Sequence, residues 1–375
     1  MPALHHAKPS EIGLDADRLE DAYRLLNRWT TGKDAPIPGG AILVGRHGRI
    51  VPPRFFGRQG PEPGAEPIRD DAMFLLASIS KPVTCLGAMR LVEQGLLNLS
   101  DPVARYIPEF AANHKEDILV EQLFTHTSGM PDMLPDNAEL RKQHAPLKRF
   151  IEGALAAVPL FPAGTDLKYQ SMGTLTVAEL VQRISGRPIR EFLQREVFEP
   201  LGMESSALGS RGLERRRLVR VQIPDYQRDS DFGWNSRYWQ ELGAPWGGLF
   251  ASPEDLGLIC QLMLGGGQLG GVRLLSPGTV ASMHTNRLAT MPGIPDPVRR
   301  ARPWGLGWRL NHRGTAGSWG DALSPRVFGH TGATGTMCWI DPDRDGFCLL
   351  LTSAIRSRAP WRLVHLSNAV SAAFI

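Results

Sequence analysis

The sequence has little cysteine, no long apolar run and no block of basic residues beyond three consecutive arginines. Its four cysteines are widely spaced and form no C-x-x-C pair, which argues against a disulfide framework and predicts buried free thiols. No apolar run approaches the roughly 18 residues of a membrane span. The net charge of +4 is small for 375 residues, so we expect no nucleic-acid partner.

Signals for metal binding and secretion are also missing. The ten histidines are scattered and include no H-E-x-x-H motif, so we expect no metal site and no cofactor. The first residues lack the basic segment and apolar stretch of a secretory signal. We therefore expect a cytoplasmic protein without a membrane span, and the sequence indicates no particular oligomeric state.

Strand-like sequence lies at both ends of the chain, with helical patterns between them. Residues 39–51 contain two apolar runs around Arg46-His47-Gly48, which predicts a β-hairpin. Residues 335–340 and 346–352 predict two more strands, and residues 361–375 predict a closing helix. This order favours an α/β (α+β) fold, in which both termini build one antiparallel sheet and a mostly helical lobe is inserted.

A serine and a lysine three residues apart lie at the predicted start of a buried helix. Apolar residues cover most of the helix circumference after Ser78, which is typical of a buried helix. Pro82 is tolerated only in a first turn, so the helix should begin near Ser78. The spacing puts Lys81 on the same face, where a desolvated, partly neutral amine can take the serine proton. The alternative is a capping serine followed by an ordinary surface lysine.

Several later segments follow this pair in a fixed order. Segment 71–82 is followed by 91–103, 123–130, 161–165, 200–203, 247–249 with 255–256, and 329–332. Together they resemble the serine β-lactamase-related hydrolases, a superfamily that contains class C β-lactamases, DD-peptidases and family VIII carboxylesterases.

The resemblance covers about residues 10–370. It implies a single β-lactamase/transpeptidase-like catalytic domain with two lobes. Residues 10–95 and 295–375 would form the α/β lobe, and residues 96–294 would form the mostly helical lobe.

The resemblance also implies roles for particular residues. Ser78 would be the acylated nucleophile, and Lys81 would be the base that takes its proton. Tyr169 falls at the tyrosine of the family's Y-x-N box. As a phenolate, or sharing a proton with Lys81, it would activate Ser78 or the deacylating water and protonate the leaving group. Backbone N–H groups of Ser78 and Ala333 would form the oxyanion hole. The predicted substrate-binding residues are His330, Thr331, Gly332, Ser171 and Trp246.

Two positions depart from the β-lactamase pattern. The second box reads Tyr169-Gln170-Ser171, so a serine replaces the asparagine that contacts the antibiotic amide. The third box has His330 instead of lysine, and a mostly neutral histidine lacks a fixed positive charge. Both changes favour the esterase branch and neutral ester substrates.

Two further interpretations apply to residues of this chain. His126 or His330 could serve as the base of a Ser-His-Asp triad, but the family places the His126 box away from the nucleophile, and the chain has no G-x-S-x-G motif. An aromatic segment could line an apolar acyl pocket or form a hydrophobic cluster under a loop. It contains Tyr226, Phe232, Trp234, Tyr238, Trp239 and Trp246.

The sequence thus predicts a serine hydrolase that cleaves a small carboxylic ester, or an amide, through an acyl-enzyme. The alternatives on the same site are a β-lactamase, a DD-peptidase or D-aminopeptidase, and an acyltransferase. An inactive scaffold of the same fold is the alternative outside enzymes. The presence of Ser78, Lys81 and Tyr169 together argues against a scaffold, since a scaffold needs none of them.

Overall fold

The computed structural model describes residues 2–224, 227, 230–311 and 319–375. Its strands are β1 (His5–His6), β2 (Gly39–Arg46), β3 (Arg49–Gly57), β4 (Phe74–Leu75), β5 (Ser206–Leu208), β6 (Leu249–Ala251), β7 (Gln268–Leu269), β8 (Val272–Arg273), β9 (Arg309–Leu310), β10 (Phe328–Gly332), β11 (Thr336–Asp341) and β12 (Gly346–Thr352). Its α-helices are α1 (Ala16–Thr30), α2 (Ser80–Glu93), α3 (Val120–Phe124), α4 (Asn137–Lys142), α5 (Leu147–Ala156), α6 (Ser171–Ser185), α7 (Ile189–Leu193), α8 (Glu199–Leu201), α9 (Arg237–Leu242), α10 (Pro253–Leu264), α11 (Pro277–Met283), α12 (Asp296–Ala301) and α13 (Arg362–Ser371).

The main sheet joins the two ends of the chain. Its strand order is β1-β3-β2-β12-β11-β10-β9, and all of its pairs are antiparallel except the short β1–β3 pair. The N-terminal strand β2 pairs with the C-terminal strand β12 from Gly40 opposite Thr352 to Arg46 opposite Gly346. The predicted antiparallel sheet built from both termini is therefore confirmed.

Both faces of the sheet are covered, because its central strands are apolar on both sides. Ile42 and Val44 share a core with residues of α1 and α13 such as Leu26 and Leu366. Leu43, one residue out of phase, belongs to the other core together with residues of α10. This alternation follows from the two-residue period of a strand. Full burial of an isoleucine, leucine or valine side chain contributes about 1.5–3 kcal/mol to stability.

The helices form a second body of packing around α2. Helix α2 is buried along most of its length and packs against α6, as its apolar circumference predicts. Ser252 caps α10 by accepting a hydrogen bond from the Asp255 amide, as the Ser-Pro-Glu-Asp sequence predicts. Helix α10 covers the main sheet although it lies within residues 96–294. We retain the two-lobe division as a proposal in which α10 accompanies the sheet.

The cysteines and the helix lengths bear on two expectations from the sequence. All four cysteines are buried and free. No helix among the described residues is both long and apolar enough to cross a membrane.

Candidate active site

The candidate nucleophile lies on a strained turn that leads into α2. Ala77 has a φ of 48°, a left-handed conformation that costs a residue with a side chain about 1–2 kcal/mol. A 3₁₀ turn over Ala77–Ile79 follows, and α2 begins at Ser80. Pro82 therefore lies in the first α-helical turn, where its missing N–H is tolerated. The strained turn leaves Ser78 half-buried at the base of a cavity.

The hairpin between β10 and β11 fixes this turn in place. The hydroxyl of Thr334 donates to the Leu75 carbonyl oxygen at 2.7 Å, and the hydroxyl of Thr336 donates to that of Leu76 at 2.9 Å. A Cβ atom at Gly332 would lie 2.3 Å from the Leu76 carbonyl oxygen, so only glycine permits this approach. Residues 259 and 260 positions apart in sequence are thereby held together at the nucleophile.

Lys81 lies directly below Ser78 in a dry environment. Its side chain is 2 % exposed, and its Nζ donates to Ser78 Oγ at 3.3 Å and to the Trp246 carbonyl oxygen at 3.0 Å. Burial lowers the pKa of Lys81 to about 7, and the negative charge of Asp132 opposes part of that shift. About half of the lysine is therefore neutral at pH 7, as a general base requires.

Tyr169 faces the same serine from the residue pair that precedes α6. Its hydroxyl is buried without a hydrogen-bond partner among the described residues, and its ring centroid lies 4.7 Å from Lys81 Nζ. Burial raises the pKa of Tyr169 well above its usual value, and the nearby Ser78 hydroxyl opposes part of that rise without reaching hydrogen-bond geometry. Tyr169 is therefore a neutral phenol that can donate a proton, rather than a phenolate.

His330 on β10 completes the wall beside Tyr169. Its Nδ1 lies 2.8 Å from the Thr331 carbonyl oxygen, which assigns the proton to Nδ1 and leaves Nε2 as an acceptor. Nε2 is buried and has no partner in the described part of the chain. Burial, reinforced by Lys81, lowers the pKa of His330 to about 3. The side chain is therefore neutral at physiological pH, as the sequence predicts.

Two backbone N–H groups beside the cavity are the candidate donors of the oxyanion hole. The N–H groups of Ser78 and Ala333 donate no backbone hydrogen bond to any described residue outside regular helices and strands, and both residues line the cavity. The carbonyl oxygen of Ala333 accepts from the Arg356 amide at 2.9 Å, which fixes the orientation of that peptide. The oxyanion role of the two donors remains a prediction.

These groups open into one cavity of about 740 Å³. Of the predicted site residues, the cavity wall contains Ser78, Tyr169, His330, Thr331, Gly332 and Ala333. We call the candidate catalytic residues Ser78, Lys81 and Tyr169 the catalytic floor: Ser78 and Tyr169 line the cavity, and the buried Lys81 contacts Ser78. The structure thus brings together residues from three sequence segments, 71–82, 169–171 and 329–332.

Two predicted substrate-binding residues lie off the cavity wall. Ser171 is 1 % exposed, and its hydroxyl donates to Asp132 Oδ1 at 2.6 Å. Trp246 is 2 % exposed, and its ring packs against Trp239 and Phe150. Trp246 instead contributes its carbonyl oxygen, which accepts the hydrogen bond from Lys81.

The aromatic segment divides between the cavity wall and the core. Trp234 lines it, whereas Trp239 and Trp246 belong to the main core, and Tyr226 lies outside the described residues. Leu167 and Trp304, which no sequence motif indicates, add apolar side chains to the cavity wall. Because both are distant in sequence from the aromatic segment, no local pattern would have found them.

His126 is closer to the site than the sequence predicted. Its ring centroid lies 4.7 Å from that of Tyr169 and 4.4 Å from that of Trp304. Its Nδ1 accepts a hydrogen bond from the Gln170 amide at 3.2 Å, and burial holds its pKa well below the usual value. His126 therefore supports Tyr169 from behind as a neutral ring, which agrees with a structural role and not with a catalytic base.

Three arginines also line the cavity, and no sequence motif indicates them. Arg302 follows α12, Arg309 lies on β9, and Arg356 follows β12; all three line the cavity. We call them the arginine rim. Arg356 Nη1 donates to Thr331 Oγ1 at 3.3 Å, next to His330. The positive charge that His330 lacks is therefore present in the cavity from other elements.

No residue set suggests a metal ion in this site. Across residues 2–224, 227, 230–311 and 319–375, no group of three or more His, Cys, Asp or Glu side chains is arranged to hold one.

Comparison with known proteins identifies the family. A family model described as beta-lactamase matches residues 26–371. A protein of Escherichia coli O157:H7 named "Putative D-alanyl-D-alanine carboxypeptidase" is 25% identical over 376 aligned positions, covering 91% of this chain and 83% of that protein.

Two solved structures share the fold. A penicillin-binding protein homologue from Caulobacter crescentus superposes with a TM-score of 0.77 at 22% identity, covering 96% of this chain and 99% of that one. A family VIII carboxylesterase superposes with a TM-score of 0.74 at 21% identity, covering 97% and 98% of the two chains. The chain belongs to the β-lactamase family, within the serine hydrolase superfamily of β-lactamases and related enzymes.

Proposed function

We propose that the protein hydrolyses carboxylic esters through an acyl-enzyme on Ser78. The observation that carries this proposal is the contact between Ser78 Oγ and the buried amine of Lys81 at 3.3 Å. Burial lowers the pKa of that amine to about 7, so the amine can accept a proton at neutral pH. A structural lysine on a protein surface would have neither property.

Acylation begins with the transfer of the Ser78 proton to neutral Lys81. The serine oxygen forms a bond to the ester carbonyl carbon, and the carbonyl oxygen becomes an oxyanion facing the N–H groups of Ser78 and Ala333. Removing one such donor typically costs about 10²–10³ in rate. When the tetrahedral intermediate collapses, the bond to the alcohol oxygen breaks. Tyr169 donates the proton to the leaving alkoxide and regains one from the Lys81 ammonium.

Deacylation repeats these steps with water. Water loses a proton to the Lys81–Tyr169 pair and attacks the acyl carbon, and the bond to Ser78 Oγ breaks. The serine oxygen recovers a proton from the same pair, and the carboxylic acid leaves. Atoms and charge balance over the cycle, and no cofactor is consumed.

The choice of an ester over a β-lactam rests on the second box. In this chain Ser171 replaces an asparagine, and its hydroxyl is already engaged by Asp132 at 2.6 Å. The amide that would contact an antibiotic is therefore missing from this position. Similarity in fold to a family VIII carboxylesterase is compatible with this choice.

A peptidase acting on D-amino acid termini is the second candidate. The relative from Escherichia coli, whose name describes a D-alanyl-D-alanine carboxypeptidase, supports it. The same floor residues would serve both reactions, because amide and ester cleavage pass through the same kind of tetrahedral intermediate. A β-lactamase and an acyltransferase use the same acyl-enzyme.

The test is a panel of short-chain p-nitrophenyl esters, nitrocefin and a D-Ala-D-Ala peptide, with wild type beside Ser78→Ala. We expect ester turnover that falls by about 10⁴-fold or more in the variant. Rapid nitrocefin or peptide turnover with poor ester turnover would support the alternatives. An absence of fluorophosphonate labelling in wild type would instead support the inactive scaffold.

A further inference from the structure

The segment His126-Thr127-Ser128-Gly129, which we call the His126 box, has no part in the proposed reaction, although it lies beside the catalytic floor. The side chain of His126 is 2 % exposed. Its ring packs against two residues that line the cavity, with centroids 4.7 Å from Tyr169 and 4.4 Å from Trp304. The ester mechanism itself gives no reason for a buried histidine at this place.

Tyr169 lies in a segment that depends on other parts of the chain for support. Residues 166–170 are irregular in the structure, and α6 begins at Ser171. An irregular segment has no ladder of hydrogen bonds of its own, so its backbone groups must find partners elsewhere. The position of the Tyr169 hydroxyl relative to Ser78 is therefore set by contacts from outside this segment.

His126 holds the chain on both sides of Tyr169. The carbonyl oxygen of His126 accepts a hydrogen bond from the Lys168 amide at 3.1 Å, and its ring Nδ1 accepts one from the Gln170 amide at 3.2 Å. Burial keeps the pKa of His126 well below its usual value, so the ring is neutral and Nδ1 can accept at neutral pH. One residue thus fixes both neighbours of the tyrosine and packs against its ring.

The rest of the box and the end of α3 hold Gln170 in place. Ser128 Oγ donates to Gln170 Oε1 at 2.8 Å, and Gln170 Nε2 donates to the carbonyl oxygens of Gln122 and Leu123 at 3.1 Å and 3.3 Å. Ser128 and Gln170 are both 0 % exposed. A buried network whose members are all bonded makes the segments that it joins rigid, so Tyr169 is followed by a firmly anchored residue.

The backbone of His126 is strained, and the strain directs its side chain toward Tyr169. Helix α3 ends here, with the Thr127 amide donating to the Gln122 carbonyl oxygen at 3.0 Å, and His126 has a φ of 62°. This left-handed position after a helix is usually glycine, because a side chain is disfavoured there. Strain of this kind is typical of functional positions.

We propose that His126 is a positioning residue, which holds Tyr169 where its phenol can donate a proton to the leaving alkoxide. The inference rests on the proposed ester hydrolysis, in which Tyr169 is the acid. It gives the His126 box a function in the reaction without contact with the substrate. Misplacement of a catalytic group by about 1 Å can reduce a rate by about 10²-fold, so the loss of this support should be measurable.

The experiment compares His126→Gly with His126→Asn. Both residues tolerate the left-handed φ, but only asparagine supplies an acceptor oxygen in the place of Nδ1. The substrates are ethyl butyrate and p-nitrophenyl butyrate, which share an acyl group and differ in the leaving group. The measured quantity is kcat/KM, which reports acylation.

We expect His126→Gly to lower kcat/KM by about 10²-fold for the ethyl ester and by about threefold or less for the p-nitrophenyl ester, whose leaving group needs no proton. His126→Asn should recover about tenfold of the loss on the ethyl ester. Combined with Tyr169→Phe, His126→Gly should add little to the loss from Tyr169→Phe alone, because the two residues act as one unit.

His144 provides the matched control. It has a φ of 50°, and its ring centroid also lies 4.7 Å from that of a tyrosine, Tyr238. His144 lines a different cavity. His144→Gly should therefore leave the ratio of kcat/KM for the two esters unchanged.

Equal losses on both esters in His126→Gly, or full additivity with Tyr169→Phe, would overturn the inference and leave the proposed function intact. Equal losses in Tyr169→Phe itself would refute the acid role together with the inference. Fluorophosphonate labelling of Ser78 shows which variants are folded, and His126→Phe, which has a ring without an acceptor, replaces His126→Gly if that variant is not.

If wild type cleaves no ester, the proposed function fails separately. The same variants are then compared on the D-Ala-D-Ala peptide, whose amine also needs a proton to leave. The expected losses there are those given for the ethyl ester. A wild type that cleaves neither kind of substrate would overturn the inference as well.

Discussion

The catalytic floor and the arginine rim enclose the same cavity but are built in opposite ways. The charge of the floor is close to neutral, because Lys81 is 2 % exposed and burial lowers its pKa to about 7. The rim is partly exposed and cationic, and its pKa shift at Arg309 comes from burial and from two neighbouring arginines. Chemistry that moves protons needs groups near neutrality, whereas a guanidinium group keeps a fixed positive charge.

The first way to break this comparison is to remove the amine from the floor. Lys81→Ala should abolish acylation of Ser78, with a loss of about 10³-fold or more in kcat/KM for p-nitrophenyl esters, because no other described group takes the serine proton. The measurement is the rate of p-nitrophenol release together with fluorophosphonate labelling.

Lys115 provides the matched control, since it is the other fully buried lysine. Its side chain is 0 % exposed, and its Nζ donates to the carbonyl oxygens of Ala112 and Ala157 at 2.7 Å and 2.6 Å. Lys115→Met should lower the free energy of unfolding by about 1–3 kcal/mol, because two carbonyls lose their partner, and should leave labelling of the folded protein unchanged. Normal acylation in Lys81→Ala would refute the assignment of the base.

The next largest effect concerns the proton donor of the floor. Tyr169→Phe should reduce kcat by about 10²–10³-fold for esters with poor leaving alcohols. The loss should be much smaller for p-nitrophenyl esters, whose leaving group needs no proton. Equal losses for both ester types would show that Tyr169 does not act as the acid.

The pH dependence of the reaction tests the electrostatics of the floor. Because the pKa of Lys81 is lowered to about 7, the amine is protonated below that pH and cannot accept the serine proton. We expect kcat/KM for a neutral ester to fall about tenfold for each pH unit below 7. His330 should not appear in this profile above pH 5, since its pKa is about 3. A flat profile between pH 5 and 8 would contradict the proposed base.

A smaller shift sharpens the same measurement. The carboxylate of Asp132 raises the pKa of Lys81, so Asp132→Asn should move the acidic limb of the profile to lower pH. Asp136→Asn, a change at an exposed position of the same loop, should leave the limb in place. An unchanged limb in both variants would show that Asp132 does not influence the amine.

The contact between Ser78 and Lys81 could be predicted from the sequence, whereas the arginine rim could not, for a physical reason. Ser78 and Lys81 are three residues apart on one helix, so local geometry alone brings them into contact. The two apolar runs around Arg46-His47-Gly48 likewise predicted the β2–β3 hairpin. The rim arginines come from three separate parts of the chain and meet only in the folded protein: Arg302, Arg309 and Arg356. No sequence periodicity could therefore predict that they lie together.

Trp246 and His126 show the same limit from the other side. Trp246 is an aromatic residue of the kind that lines pockets, but its ring packs in the core. Only its carbonyl oxygen contacts Lys81. His126 belongs to a sequence box assigned away from the nucleophile, although its ring lies against Tyr169. The positions of these two rings depend on the direction of each side chain and on the path of the loop that carries it. Neither can be predicted from the local sequence.

The claim on which the account depends is a covalent acyl-enzyme at Ser78. The direct measurement is intact-protein mass spectrometry with peptide mapping, after wild type and Ser78→Ala are quenched during turnover of a p-nitrophenyl ester. We expect one acyl group per wild-type chain, on the peptide that contains Ser78, and none on the variant. An adduct on another residue, or steady ester turnover that persists in Ser78→Ala, would contradict the account.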